Sequence, residues 1–349
     1  MDELLEDVAF ASVHGFITDN HFGPEIQQIF EDNAVDMEWE NSQGLAQQSD
    51  QSDFTDRQIC TPALRKATKV ADDQLTDDVL KKVEWMKHHP PSRENTSQMR
   101  TYFKNTRNHR KNIMHGLTIT DALSHFPRYR DMPSLIVLDF ELQFGKDVSS
   151  SLLTNWKVDF LGAIMKVARK VPESSQAGLL LSAHQKWDDV DLCALKLLVA
   201  MLPSSNAYSS KKGKKSASSR VDAVNYVFQH KPIGTDVMFF AETKDDKYAE
   251  PFLLCLGTPI NPTDYYVICD NTSVPAGTTA LAAFDLLFKI HYIFSVEFSG
   301  CVHTFYNFFD AFFYGINTYT ASSLLRSFWA RLKTTSTKLE NKCAENLSK

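Results

Sequence analysis

Two places in this sequence bring together side chains that could do chemistry. Cys301 and His303 stand two residues apart with Asp310 beyond, a thiol and an imidazole that would act as nucleophile and base if they met. Residues two apart on a helix point in different directions, so a buried thiol and a structural imidazole are the expectation there. The second place is MRTYFKNTRNHRKN, residues 99–112, where Arg100, Lys104, Arg107, Arg110 and Lys111 interleave with Tyr102 and Phe103. Cations at that density can neutralise phosphates, and aromatic faces beside them can stack on bases. The same pattern is also that of a helix with Tyr102 and Phe103 on its buried face and the charges on its wet side. A third use is intramolecular, with an acidic segment of the chain folding over the basic one.

Other chemistries leave no signature. The sequence has no GxxxxGK[ST], GxGxxG or HExxH, and only thirteen glycines from which a phosphate loop could be built. No CxxC occurs, and Cys255 and Cys269 sit on separate apolar runs with no paired ligands beside them. His88 and His89 next to Pro90 make no metal site by spacing. No catalytic residue, metal or cofactor is therefore expected.

The elements that must position these residues follow from periodicity. PFLLCLG and DYYVICD, flanking the Pro259 and Pro262 stretch, read as two strands of a wide hairpin. After them Ala280, Phe284, Leu287, Phe288 and Tyr292 recur at helical spacing, and Phe305, Phe308, Phe309 and Phe312 resume the pattern after Ser299–Gly300. Two helices laid on a hairpin is the expectation. Upstream, LTDDVLKKVEWMKHH is an amphipathic helix stopped by Pro90–Pro91, and VDLCALKLLVAML is apolar enough to lie at the centre of the core. Asp121 opens a short helix that Pro127 ends, and Pro133 starts another. Val224, Val227 and Phe228 suggest a helix, and Val237–Ala241 a further strand before the hairpin.

Charge divides the chain unevenly. Residues 1–56 hold fourteen Asp and Glu and no Lys or Arg, which leaves 37 cations against 29 acids, or +8, for the remainder. Such a segment buries too little apolar surface to offset chain entropy, so a disordered acidic tail is expected over 1–56. A helical, basic region follows over 57–202. PSSNAYSSKKGKKSASSR, residues 203–220, reads as an exposed Ser/Lys loop in which Lys211, Lys212, Lys214 and Lys215 match a short nuclear-import signal. An α+β core over 221–316 and a C-terminal helix or tail over 317–349 complete the expected organisation. The fold class is α+β, mostly helical, with helices packed on a small sheet that contains the hairpin. An acidic start, dispersed cysteines and no long apolar run place the protein inside the cell, in nucleus or cytoplasm, away from membranes.

Several segments, taken together, resemble a vertebrate group labelled sterile alpha motif domain-containing protein 3-like. They are YFKNTRNHRK, TDALSHFPRYRD with VLDFELQFG, LLVAMLP, PFLLCLG, DYYVICD and AAFDLLFKIHYIFSVEF, spread over about Leu80 to Ile316. The resemblance implies an intracellular domain and carries over no catalytic motif. Residues 1–56 are too acidic and aperiodic to be the sterile alpha motif some members of that group carry. The function expected is non-enzymatic and exerted through protein–protein contacts. The alternative is a nucleic-acid-binding protein of mobile-element descent that uses the basic segment 100–111.

Overall fold

The computed structural model describes residues 77–182, 187–202 and 220–347. The acidic tail expected over 1–56 lies outside them, as do the import-signal lysines Lys211, Lys212, Lys214 and Lys215.

The chain begins its described course with α1 (Asp77–His88), α2 (Thr96–Asn105), α3 (Arg107–Met114), α4 (Ile119–His125) and the single turn α5 (Arg128–Asp131). Asp77 and Asp78 in the first turn of α1 and Lys87 and His88 in its last complement the helix dipole. Thr118 caps α4, accepting from Asp121 N at 3.1 Å. Asp121, expected to open this helix, is its third residue, and its carboxylate accepts from the Thr118 hydroxyl at 2.8 Å. Then come α6 (Ser134–Phe144), α7 (Lys146–Asn155), a π-turn (Trp156–Phe160), α8 (Leu161–Ala168), α9 (Gln176–Ser182) and α10 (Val190–Met201). Asp189 caps α10 through Leu192 N at 2.9 Å. Every α10 residue from Leu192 to Met201 is buried, so this helix does lie at the centre.

The sheet follows. After α11 (Arg220–Asn225) come β1 (Phe228–Lys231), α12 (Val237–Thr243), β2 (Phe252–Gly257), β3 (Pro262–Cys269) and β4 (Thr272–Gly277). Strand order is β1-β2-β3-β4, with β1 parallel to β2 and the other pairs antiparallel. The expected hairpin is β2–β3. Because β2 is covered on both sides, its residues are apolar without alternation. Leu253 and Cys255 join the main core, whereas Phe252, Leu254 and Leu256 form a smaller one with Ala241 and Ile268. Finally α13 (Ala280–Ile293), α14 (His303–Phe312) and α15 (Ser323–Leu347) complete the described chain. α13 and α14 meet through rings, Phe284 lying 4.6 Å from Phe309 and 5.3 Å from Phe305. One apolar cluster runs from Val83 to Leu332, so the helices before residue 202 and the sheet after residue 220 share a core.

Two local expectations are corrected and one strand is added. Val237–Ala241 is helical: Asp236 accepts from Met238 N and Phe239 N, both at 3.0 Å, and this cap starts a helix where the apolar run VMFFA suggested a strand. The helix expected through Val224, Val227 and Phe228 ends at Asn225, because Val227 O accepts from Leu253 N at 2.8 Å and draws the chain into the sheet. β4 was not expected, since TSVPAG has weak strand propensity and a proline. Pro275 is tolerated because β4 is an edge strand.

Candidate functional site

The five cations of the basic segment do not share one fate. α2 buries Met99 and Phe103, and its Arg100 is half-buried while Lys104 is exposed. On α3, Arg107 and Lys111 are half-buried. None of these four takes part in an ion pair among the described residues. Arg110 is fully buried, which removes it from any phosphate-binding set. Its guanidinium donates to Asp139 at 2.5 Å, to the Thr106 hydroxyl at 2.7 Å and to the Phe103 carbonyl, and lies 3.4 Å over the Phe103 ring. Tyr129 closes the network by donating to Asp139 at 2.5 Å. Burial raises the Asp139 carboxyl above its ordinary range while the Arg110 charge opposes the rise. The aromatics are also engaged: Phe103 is edge-on to Tyr129 at 5.0 Å and Tyr102 to Trp85 at 5.1 Å. The stacking platform expected beside the cations is thus turned into the fold.

In the Cys301–His303–Asp310 grouping, His303 and Asp310 both make contacts that hold the fold. Asp310 holds the chain after α14 in place, accepting from Thr318 N at 2.8 Å, the Thr318 hydroxyl at 3.0 Å and the Tyr292 hydroxyl. His303 stands edge-on to Tyr319 at 4.5 Å, and burial lowers its pKa. His88 bonds Glu84 at 2.7 Å and His89 stacks on Trp85 at 4.3 Å. Among the described residues no three His, Cys, Asp or Glu side chains could hold a metal, and no helix is long and apolar enough to cross a membrane.

A groove of about 470 Å³ lies between α6, α7, β4 and α13, with Asp285 and Lys289 among its lining. Its buried polar groups satisfy one another. Lys289 donates to Asp285 at 2.5 Å and to Ser149 O at 2.8 Å, and Tyr314 donates to Asp285 at 2.7 Å.

Lys196 presents the opposite case. It is the single cation in the apolar run of α10 and is 5% exposed. Its ammonium donates to His230 Nε2 at 2.7 Å and reaches Pro259 O at 3.5 Å, with Trp187 beneath it at 5.0 Å from the ring centroid. No carboxylate pairs with it among the described residues. Asp189, whose field reaches Cys193 and Cys255, is held by Leu192 N, the Tyr265 hydroxyl at 3.0 Å and Ala280 N at 3.1 Å. Burial lowers Lys196 from 10.5 to about 8 and pushes the Cys193 and Cys255 thiols up to about 12. Sequence reasoning passed over Lys196 because one lysine in VDLCALKLLVAML does not disturb an apolar helix.

Among the described residues, three exposed large apolar side chains fall within one short stretch. Ile233 is 70% exposed, Phe239 64% and Met238 39%. α12 explains it: Val237, Phe240 and Ala241 face the small core at helical spacing, which turns Phe239 outward and leaves Met238 at the border, its sulfur accepting from the Ser273 hydroxyl at 3.3 Å.

No family model matches this chain, and neither the curated proteins nor the solved structures contain a significant match to it.

Proposed function

We propose that this is a non-enzymatic intracellular protein that works by contacting another protein through the surface of Ile233, Met238 and Phe239. The observation that carries the reading is that exposure, concentrated within the seven residues 233–239. Isolated exposed apolar side chains are ordinary, but a grouped set rimmed by charge suits a partner with complementary apolar surface. Asp236 and Glu242 supply such a rim, both exposed. The resemblance to the sterile alpha motif domain-containing protein 3-like group agrees with an intracellular setting and adds no catalytic residue.

The test compares proximity labelling by the full chain with that by an Ile233→Asp/Phe239→Asp variant in cells. Loss of a discrete set of neighbours by a variant that unfolds at the same temperature supports the reading. A neighbour set unchanged by the variant overturns it.

The nucleic-acid reading keeps one favourable observation, that Arg100, Lys104, Arg107 and Lys111 form no ion pair among the described residues. It requires binding that weakens steeply with salt and with charge removal at those four positions. Binding of the full chain to single- or double-stranded nucleic acid with that dependence would replace the protein-contact reading.

A further inference from the structure

We propose that the surface formed by the π-turn, α8 and α15 binds duplex nucleic acid through its phosphates, with Lys157, Lys166, Arg169, Lys170 and Lys333 as the contacting cations. Residues 156–182 and 323–337 hold seven Lys and Arg against two acids, Asp159 and Glu173. That net +5 is most of the +8 carried by residues 57–349. In α8 and its exit, Gly162, Lys166, Arg169 and Lys170 recur at i, i+4, i+7 and i+8 and reach solvent, while Ala163, Ile164, Met165, Val167 and Ala168 are buried. α15 packs along α8 and the π-turn, burying Leu325, Phe328 and Leu332 and leaving Lys333 exposed. Phe160 and Trp329 stack at 4.7 Å where these elements meet. The Lys333 ammonium stands at that seam, 5.7 Å from the Phe160 ring centroid and 5.4 Å from that of Trp329. Lys157, exposed in the π-turn, is three residues before Phe160.

None of the five cations forms an ion pair among the described residues. A group of surface cations without counter-charge attracts a polyanion, which gains affinity by shedding its own counterions. The net charge of -6 does not oppose this locally, because fourteen of the 43 acids lie within residues 1–56. The neighbouring apolar groups select the class of polyanion. A membrane surface takes up exposed apolar side chains beside the cations, but the exposed Leu324 is nine residues from Lys333 and so on the opposite side of α15. Single strands are held by bases stacking on exposed rings, but Phe160 is buried and Trp329 is half-buried against it. What reaches solvent here is charge on two packed helices, which suits the regularly spaced phosphates of a duplex. The surface lies on other elements than the α2–α3 cations and the Ile233–Phe239 stretch, so it stands independently of the protein-contact reading.

The experiment titrates a fluorescein-labelled DNA duplex of random sequence with the full chain across a salt series. One strand of the same duplex and phosphatidylserine vesicles are parallel arms. The expected result is duplex binding at low salt that weakens steeply as salt rises. Lys166→Gln/Arg169→Gln/Lys170→Gln should weaken it at least about tenfold and reduce the salt slope by about 3, with the thermal midpoint unchanged. In the unaltered chain, bound duplex should protect Lys166, Lys170 and Lys333 from an amine-acetylating reagent, read by mass spectrometry. That footprint tests the surface even if the triple variant folds poorly. No duplex binding at low salt, an unprotected Lys166, Lys170 and Lys333, or a loss carried by Arg100→Gln/Lys104→Gln/Lys111→Gln in place of the triple variant overturns the proposal. Tighter binding to the single strand or to the vesicles than to the duplex overturns the choice of partner.

Discussion

Replacing Lys196 by Met should stabilise the protein at neutral pH and destabilise it at high pH. Lys196 is 5% exposed, and burial lowers its pKa from 10.5 to about 8. At about 1.4 kcal/mol per pH unit, that fall means the folded state penalises the ammonium by about 3 kcal/mol. Below pH 8 the lysine is charged in both folded and unfolded chains, so the penalty is present in full. Between about 8 and 10.5 the unfolded chain holds a proton that the folded one has released, so wild-type stability from this group rises with pH. Cys193 and Cys255, at about 12, stay protonated through most of that window, and His230 is neutral throughout. Methionine keeps the apolar stem but leaves His230 Nε2 without a donor, at a cost of about 1–2 kcal/mol. The net expectation is a gain of about 1–2 kcal/mol at pH 7, turning into a loss of similar size, about 1–2 kcal/mol, above pH 10.5. Urea unfolding of the full chain across this range, as the difference between variant and wild type, measures it. Subtraction cancels the lysines and tyrosines common to both. A difference that does not change with pH would refute the assignment of an unpaired buried ammonium, as would a loss of more than about 2 kcal/mol at pH 7.

Two more predictions concern the fold around the candidate sites. Arg110→Met should cost about 3–5 kcal/mol by stranding the buried Asp139 carboxylate, whereas Lys104→Met, exposed on the neighbouring α2, should stay within about 0.5 kcal/mol; comparable losses for both in chemical denaturation would contradict the placement of Arg110. Gly257→Ala should destabilise by about 1–3 kcal/mol, because its φ is +128° and an added Cβ would lie 2.8 Å from Asn261 O; an unchanged thermal midpoint would show that the β2–β3 turn has another geometry.

The sequence by itself determined the elements whose signal is local. PFLLCLG and DYYVICD are strands because short apolar runs bounded by Gly and Pro leave the backbone few alternatives, and α1, α10 and α13 follow from helical spacing of large apolar side chains. Where a local signal was ambiguous, tertiary contact decided. VMFFA fits a strand as well as a helix until Asp236 caps it and the small core accepts only Val237, Phe240 and Ala241. TSVPAG becomes β4 because Asp270, at φ +47°, turns the chain back onto β3. The candidate sites were less legible still, since charge in a sequence does not reveal its partner. Arg110 resembles its four neighbours in type and spacing, but Asp139, 29 residues further on, decides that it is buried. Lys196 looks like an incidental cation in an apolar helix until His230 and Pro259, 34 and 63 residues away, close over it. Local periodicity fixes which residues face inward. Which buried charges find a counter-charge depends on pairings between distant segments, and only the folded chain brings those segments together.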